Sequence, residues 1–144
     1  MIIYRIPLQG LKFSTNKIYA GIHWAKRKAI KDSCLDYARA FCRPIQEFGP
    51  YPIEIRYRFI FASRALDTTN CTFLVKMFED SFRALGILKD DNPKYVVRTI
   101  IEVATISKCS SKDKFNELGG SRNKKEEDYL EITATPCNYL SISI

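Results

Sequence analysis

Acidic side chains gather in two short stretches of this chain. Asp67 lies within Leu66-Asp67-Thr68-Thr69-Asn70, Asp90 and Asp91 open Asp90-Asp91-Asn92-Pro93, and Asp80 falls between the two stretches. Asp67 follows a segment that reads as a strand, and Asp90-Asp91 precede another. Strand ends and the loops beside them are where a scaffold presents catalytic groups. Adjacent carboxylates repel each other, and a divalent cation relieves that repulsion. Mg²⁺ prefers oxygen ligands, usually one or two carboxylates with waters and phosphate. Such an ion polarises a phosphodiester and lowers the pKa of the attacking water, which is the chemistry of a nuclease. The same residues have plainer uses. Asp-Asp-Asn-Pro is an ordinary turn sequence, because Asp and Asn bond their own backbone there. Asp67 could cap a helix. Lys76 and Asp80 have the i,i+4 spacing of a helical ion pair.

Charge points the same way as the acids. The chain of 144 residues carries a net charge of +7. Residues 1–62 hold 11 Lys or Arg against 4 Asp or Glu, whereas residues 63–144 hold 12 of each. A one-sided basic region suggests a polyanion, with nucleic acid first and an acidic membrane surface as the alternative. Lys26, Arg27, Lys28 and Lys31 are the candidate non-specific phosphate contacts. His23 could touch phosphate or simply pack at a helix start, and as the single histidine it makes His-based triads poor candidates. Tyr4, Tyr19 and Trp24 could stack on unpaired bases or serve as core aromatics.

The elements that must carry these groups follow from periodicity. Ile2 to Leu8 predicts a strand, which Pro7 confines to an edge or an end. Gly10 to Asn16 reads as a loop. Trp24 to Phe41 predicts a helix with an apolar stripe of Ala25, Ile30, Leu35, Ala38 and Phe41. Pro52 to Ala62 alternates, with Ile53, Ile55, Tyr57, Phe59 and Phe61 on one face and Glu54, Arg56 and Arg58 on the other, the pattern of a half-buried strand. A second helix is expected from about Thr69 to Leu85, capped by Thr68, Thr69 or Asn70 and ended by Gly86. Its stripe is Phe73, Met77, Ser81 and Ala84, widened by Leu74, Phe78 and Leu85. Tyr95 to Ile106 and Tyr129 to Thr135 predict two more strands, separated by a polar, mobile excursion at about 107–128. The tail from Cys137 to Ile144 reads as a further strand or a partner contact. The order is that of one α+β domain over 1–144, a mixed sheet with two main helices packed on it.

Composition excludes several classes. No apolar run is long enough to span a membrane, and the first residues lack the form of a signal peptide. Cys34, Cys42, Cys71, Cys109 and Cys137 are odd in number and lack C-x-x-C spacing, against both a disulfide framework and a zinc site. An intracellular, cytoplasmic protein is the expectation.

Leu66-Asp67-Thr68-Thr69-Asn70, Lys76, Glu79-Asp80, Ala84-Leu85-Gly86-Ile87-Leu88 and Asp90-Asp91, in that order, resemble the central signature of RusA-type Holliday junction resolvases. Thr15-Asn16-Lys17-Ile18-Tyr19 and the basic helix after it are similar to that family's amino-terminal part. The resemblance covers residues 14 to 106 and implies a RusA-like fold. It also implies a bacterial or phage-encoded homodimer that uses Mg²⁺, or Mn²⁺, to nick branched DNA in recombination and repair. Carried over, Asp67 and Asp91 are catalytic, metal-binding carboxylates with Asp90 beside them. Asn70 orients the site, Lys76 stabilises phosphate charge, and Asn16 and Lys17 join the DNA contacts. The family's turn usually reads Asp-x-Asp-Asn, whereas here Thr69 stands at the second Asp position, and six positions separate Asn70 from Lys76. Asp80 could supply the missing carboxylate; a junction-binding protein without cleavage is the alternative. A helix over Thr69–Leu85 would be ~25 Å long, with Asp67 before it and Asp91 after it. Either the segment from Ile87 to Asp90 runs back along the helix, or a second subunit supplies the missing group; the expectation is the second, with two such helices antiparallel across a two-fold axis bringing Asp67 of one chain near Asp91 of the other.

Overall fold

The computed structural model describes residues 1–62, 64–106 and 127–137. Most of the expected excursion, residues 107–126, lies outside the described residues, as do Cys109 and the tail 138–144. The central strand is β2 (Ile53–Phe61). Its apolar set, Ile53, Ile55, Tyr57, Phe59 and Phe61, is wholly buried. Side chains alternate across a strand, so Glu54, Arg56 and Arg58 fall on the opposite face. β4 (Tyr129–Pro136) pairs antiparallel with β2, and β1 (Ile2–Pro7) pairs antiparallel with β4. β3 (Val96–Thr105) runs parallel to β2, giving a four-stranded mixed sheet in the order β1-β4-β2-β3. Pro7 stands at the last position of an edge strand, where its missing N–H costs no ladder bond.

Three helices complete the α+β fold among the described residues: α1 (Thr15–Tyr19), α2 (Trp24–Phe41) and α3 (Thr72–Ala84). The sheet face carrying Tyr57 packs with helix residues Ile30, Cys34, Ala38, Leu74, Phe78 and Phe82 in one core. The other face carries charge: register aligns Arg5, Glu131, Arg58 and Glu102 in one row across all four strands. Opposite charges side by side stabilise neighbouring strands, and Arg56 lies 3.4 Å from Glu102 there.

The helix expectations need correcting in detail. α1 begins at the end of the expected Gly10–Asn16 loop and continues over residues to which no element was assigned, because Ser14 caps it by accepting from the Lys17 N–H at 3.1 Å and Ile18 is buried beneath it. The buried stripe of α2 is Ile30, Cys34 and Ala38, at strict four-residue spacing; Ala25 and Phe41 are exposed and Leu35 is half-buried. α3 starts later than expected. Thr68–Cys71 form a 3₁₀ turn, and Cys71, the N-cap of α3, makes no side-chain capping bond. The thirteen residues of α3 make a helix of about 20 Å. Its buried face is Leu74, Val75, Phe78, Ser81 and Phe82, so Leu74 and Phe78 of the widening set and Ser81 of the stripe lie at the centre, Phe73 and Met77 pack at its margin, and Ala84 is exposed. Gly86 follows at φ +75°, the left-handed conformation that turns the chain out of the helix.

Candidate functional site

The acidic residues fall into two groups. The first is built where α1 meets the 3₁₀ turn. Thr15 Oγ1 donates to the Asn70 carbonyl at 3.1 Å and accepts from the Phe73 N–H at 3.1 Å. The Asn16 N–H donates to Asn70 Oδ1 at 3.4 Å. Within the turn, the Asn70 N–H donates to the Asp67 carbonyl at 2.9 Å. These bonds fix Asp67 and Asn70 on the wall of a cleft of about 550 Å³. Lys12, Ser14, Lys17 and Arg64 line the rest of its polar surface. The Asp67 side chain makes no capping bond to the turn it precedes, which corrects the expectation that it would cap a helix. Lys12 and Arg64 escaped the sequence reading, as isolated cations in loops carry no periodic signal. They meet here because the Lys12 ammonium donates to the Arg64 carbonyl.

The second group lies along α3. After Gly86 the chain is clamped to the segment entering β2: the Phe48 N–H donates to the Ile87 carbonyl at 2.7 Å, and the Lys89 N–H donates to the Tyr51 hydroxyl at 3.0 Å. It then turns back far enough for Asp91 to meet Lys76 at 2.7 Å, but Asp91 is not among the residues that line the Asp67 cleft, so the return of the chain does not by itself join the two carboxylates at one site. Lys76 also pairs with Asp80 at 3.4 Å, the i,i+4 pair that the spacing allowed. Arg83 reaches Asp90 at 3.5 Å and Asp91 at 3.8 Å. The turn chemistry of Asp-Asp-Asn-Pro is equally present: Asp90 accepts from the Asp91 N–H at 2.8 Å and from the Asn92 amide at 2.7 Å.

Charge follows this geometry. The hydrogen bond from Lys76 holds the Asp91 carboxyl below its ordinary range, helped by the charges of Lys76 and Arg83. The bond to Asp91 in turn raises Lys76. Burial pushes Glu79 up, opposed by the Lys76 charge and the Tyr57 hydroxyl and reinforced by the acids Asp91 and Asp80, with a net rise. Tyr57 on β2 is raised well above its usual value, mainly by burial and then by Glu79. Glu79 acts on the Tyr57 hydroxyl both by charge and as a hydrogen-bond acceptor, but the contact falls short of full hydrogen-bond geometry and the hydroxyl closes no other bond among the described residues.

The expected DNA contacts are mostly open to solvent. Asn16, Lys17, His23, Lys26, Arg27, Lys28 and Lys31 are all exposed. His23 is also the N-cap of α2, its Nδ1 accepting from the Ala25 N–H at 3.2 Å. Arg27 donates to the Ile18 carbonyl at 3.0 Å, tying α2 to α1. Tyr4 leaves the list of stacking aromatics: it is 5% exposed and its hydroxyl donates to the Pro44 carbonyl.

Among the described residues no three His, Cys, Asp or Glu side chains converge as ligands for one metal ion. A smaller donor set is present. Asp67 and the Asn70 amide oxygen are hard oxygen donors on one cleft wall, which suits an ion that completes its shell with water and phosphate. Among the described residues no helix is long and apolar enough to cross a membrane. Compared with protein-family models and with curated proteins, the sequence matches none.

Proposed function

We propose that this chain is a Mg²⁺-dependent endonuclease that hydrolyses phosphodiester bonds in branched DNA, four-way junctions above all, and acts as a homodimer. The observation that carries this reading is the first cleft. One carboxylate, Asp67, stands beside Asn70 among the cations Lys12, Lys17 and Arg64. Cations without the acid would suit any anion, and the acid alone would repel one. The combination suits a phosphate held against a carboxylate-bound metal. The metal supplies Lewis-acid polarisation and an activated water. The chain's own part is to grip and orient. Lys12, Lys17 and Arg64 take up phosphate charge, and Asn70 is held by Asn16 and Thr15 so that its amide stays on the cleft wall. Lys76 stands outside this cleft's lining, paired with Asp91 and Asp80, so phosphate charge in the cleft falls to Lys12, Lys17 and Arg64.

One observation favours a second reading, a junction-binding protein that does not cleave. Asp91, expected to hold metal, is closed on Lys76 at 2.7 Å with Arg83 alongside, and Thr69 replaces the family's second Asp. Cleavage of a labelled synthetic four-way junction with and without Mg²⁺, beside linear duplex, decides between them. Mg²⁺-dependent, junction-selective nicking that disappears in Asp67→Asn and Asp91→Asn supports the endonuclease. Salt-sensitive junction binding without nicking supports the second reading. Absence of both rejects the two together.

A further inference from the structure

We infer that Tyr19 and Trp24 are stacking surfaces for unpaired nucleobases at the α1–α2 junction. The inference rests on the DNA-binding part of the proposed function and assigns the kind of DNA that the basic end of the molecule takes.

Four observations carry it. Tyr19 is 73% exposed and Trp24 70%, although large aromatics usually bury most of their surface. Both rings are held by their neighbours. The Arg27 guanidinium lies 6.0 Å from the Tyr19 ring centre while donating to the Ile18 carbonyl. The His23 ring stands 5.5 Å from that of Trp24 while capping α2. The two rings stand at the ends of the short α1–α2 connection, Tyr19 closing α1 and Trp24 opening α2. Finally, the surroundings suit a polyanion. Residues 1–31 contain seven Lys or Arg and no Asp or Glu, and Lys26, Arg27, Lys28 and Lys31 are exposed just beyond Trp24.

Exposed rings flanked by cations are the arrangement that binds single strands, with bases on the rings and phosphates on the cations. A paired duplex cannot use the rings, since its bases are already stacked. The unpaired or splayed bases of a branch point can. A protein partner is the other occupant of exposed aromatics, but the run of seven cations without an acid over residues 1–31 favours a polyanion.

Trp24 is the only tryptophan in the chain, so its emission reports stacking there directly. The full chain would be titrated at low salt with oligo(dT) and, separately, with an abasic deoxyribose-phosphate strand of equal length. Affinity would be read by anisotropy of a labelled strand. Oligo(dT) should quench Trp24, and the abasic strand should bind without quenching. Trp24→Ala should weaken oligo(dT) roughly fivefold to a hundredfold, leaving abasic affinity and the salt slope within twofold, whereas Trp24→Phe should keep most of the affinity. Lys26→Gln with Lys28→Gln should instead weaken both strands and flatten the salt slope. Salt-dependent binding with unchanged Trp24 emission, or equal losses on both strands in Trp24→Ala, would overturn the stacking role and leave the phosphate cleft standing. Quenching by oligo(dT) without junction cleavage would uphold the stacking role and reject the nuclease. No binding of any strand would reject both.

Discussion

Replacing Tyr57 by Phe should make this protein more stable. The side chain is fully buried in the sheet's helix-covered face, and its hydroxyl completes no hydrogen bond among the described residues. Taking an unbonded hydroxyl out of water costs about 1–3 kcal/mol by mutational measures. Deleting one oxygen leaves a void of roughly 10–15 Å³, which at ~24 cal/mol per Å³ costs about 0.3 kcal/mol. The ring itself, and its packing, are unchanged. The balance is a gain of about 1 kcal/mol or more, or about 3–4 °C in Tm for a domain of this size. Urea and thermal unfolding at pH 7 would measure it. A loss of about 1 kcal/mol would refute the reasoning, because it would mean that the hydroxyl is bonded in solution, with Glu79 as the nearest acceptor by charge.

Glu79 supplies a related test with a defined pH direction. Burial raises its pKa above the ordinary 4.5, so the folded state binds its proton more tightly than the unfolded chain. That stabilisation is complete below pH 4.5 and is lost as pH rises through the folded value. Glu79→Gln should therefore gain stability over wild type at pH 7 and lose that advantage toward pH 4.5; parallel pH–stability curves would count against it. Burial pushes the Cys34 and Cys42 thiols up to about 12 and Cys71 to about 11. All three should therefore resist iodoacetamide at pH 8 until the protein is denatured, as peptide mass spectrometry would show. Phe78→Ala, at the centre of the α3 face, should cost about 3–5 kcal/mol in urea unfolding; a cost below about 1 kcal/mol would mean that α3 is not packed as described.

The strands were legible because their signal is binary. Alternation of Ile53, Ile55, Tyr57, Phe59 and Phe61 with Glu54, Arg56 and Arg58 has one half-buried solution, and β2 takes it. α2 was equally clear in its bounds. Its stripe was misread, because Cys34 is small enough to be passed over yet lies wholly buried between Ile30 and Ala38. The start of α3 was misread for another reason. A run of Thr68, Thr69 and Asn70 advertises capping chemistry, but Thr15 from α1 reaches across and engages Asn70, Thr72 and Phe73, so the turn is held by a tertiary contact no local pattern encodes. The same holds for the site. Asp67, Asp80, Asp90 and Asp91 could be named for the site from type and spacing, and Asn70 and Lys76 only from the family resemblance. Their sorting into a cationic cleft and an ion-paired group could not, because Lys12 and Arg64 join through the fold, and Asp91 reaches Lys76 only because the chain after Gly86 doubles back.

That sorting has an electrostatic consequence under the proposed function. Around Lys76 and Arg83 stand Asp80, Asp90, Asp91 and Glu79, so acids outnumber bases. A DNA strand reaching past the Asp67 cleft toward this group meets repulsion until a cation offsets it. Asp91→Asn removes one of these charges and releases Lys76 from its closest partner, and both changes favour phosphate. At roughly 8 Å in water one unit charge contributes about 0.5 kcal/mol. Without Mg²⁺ and at low salt, the variant should therefore bind a four-way junction about twofold more tightly than wild type. With Mg²⁺ the advantage should shrink, since the ion does for the wild type what the substitution does for the variant. Anisotropy titrations with and without Mg²⁺ measure both arms. Weaker binding by Asp91→Asn without metal would show that Asp91 helps hold DNA by positioning Lys76, and that its ion pair, not its free charge, is what the strand meets.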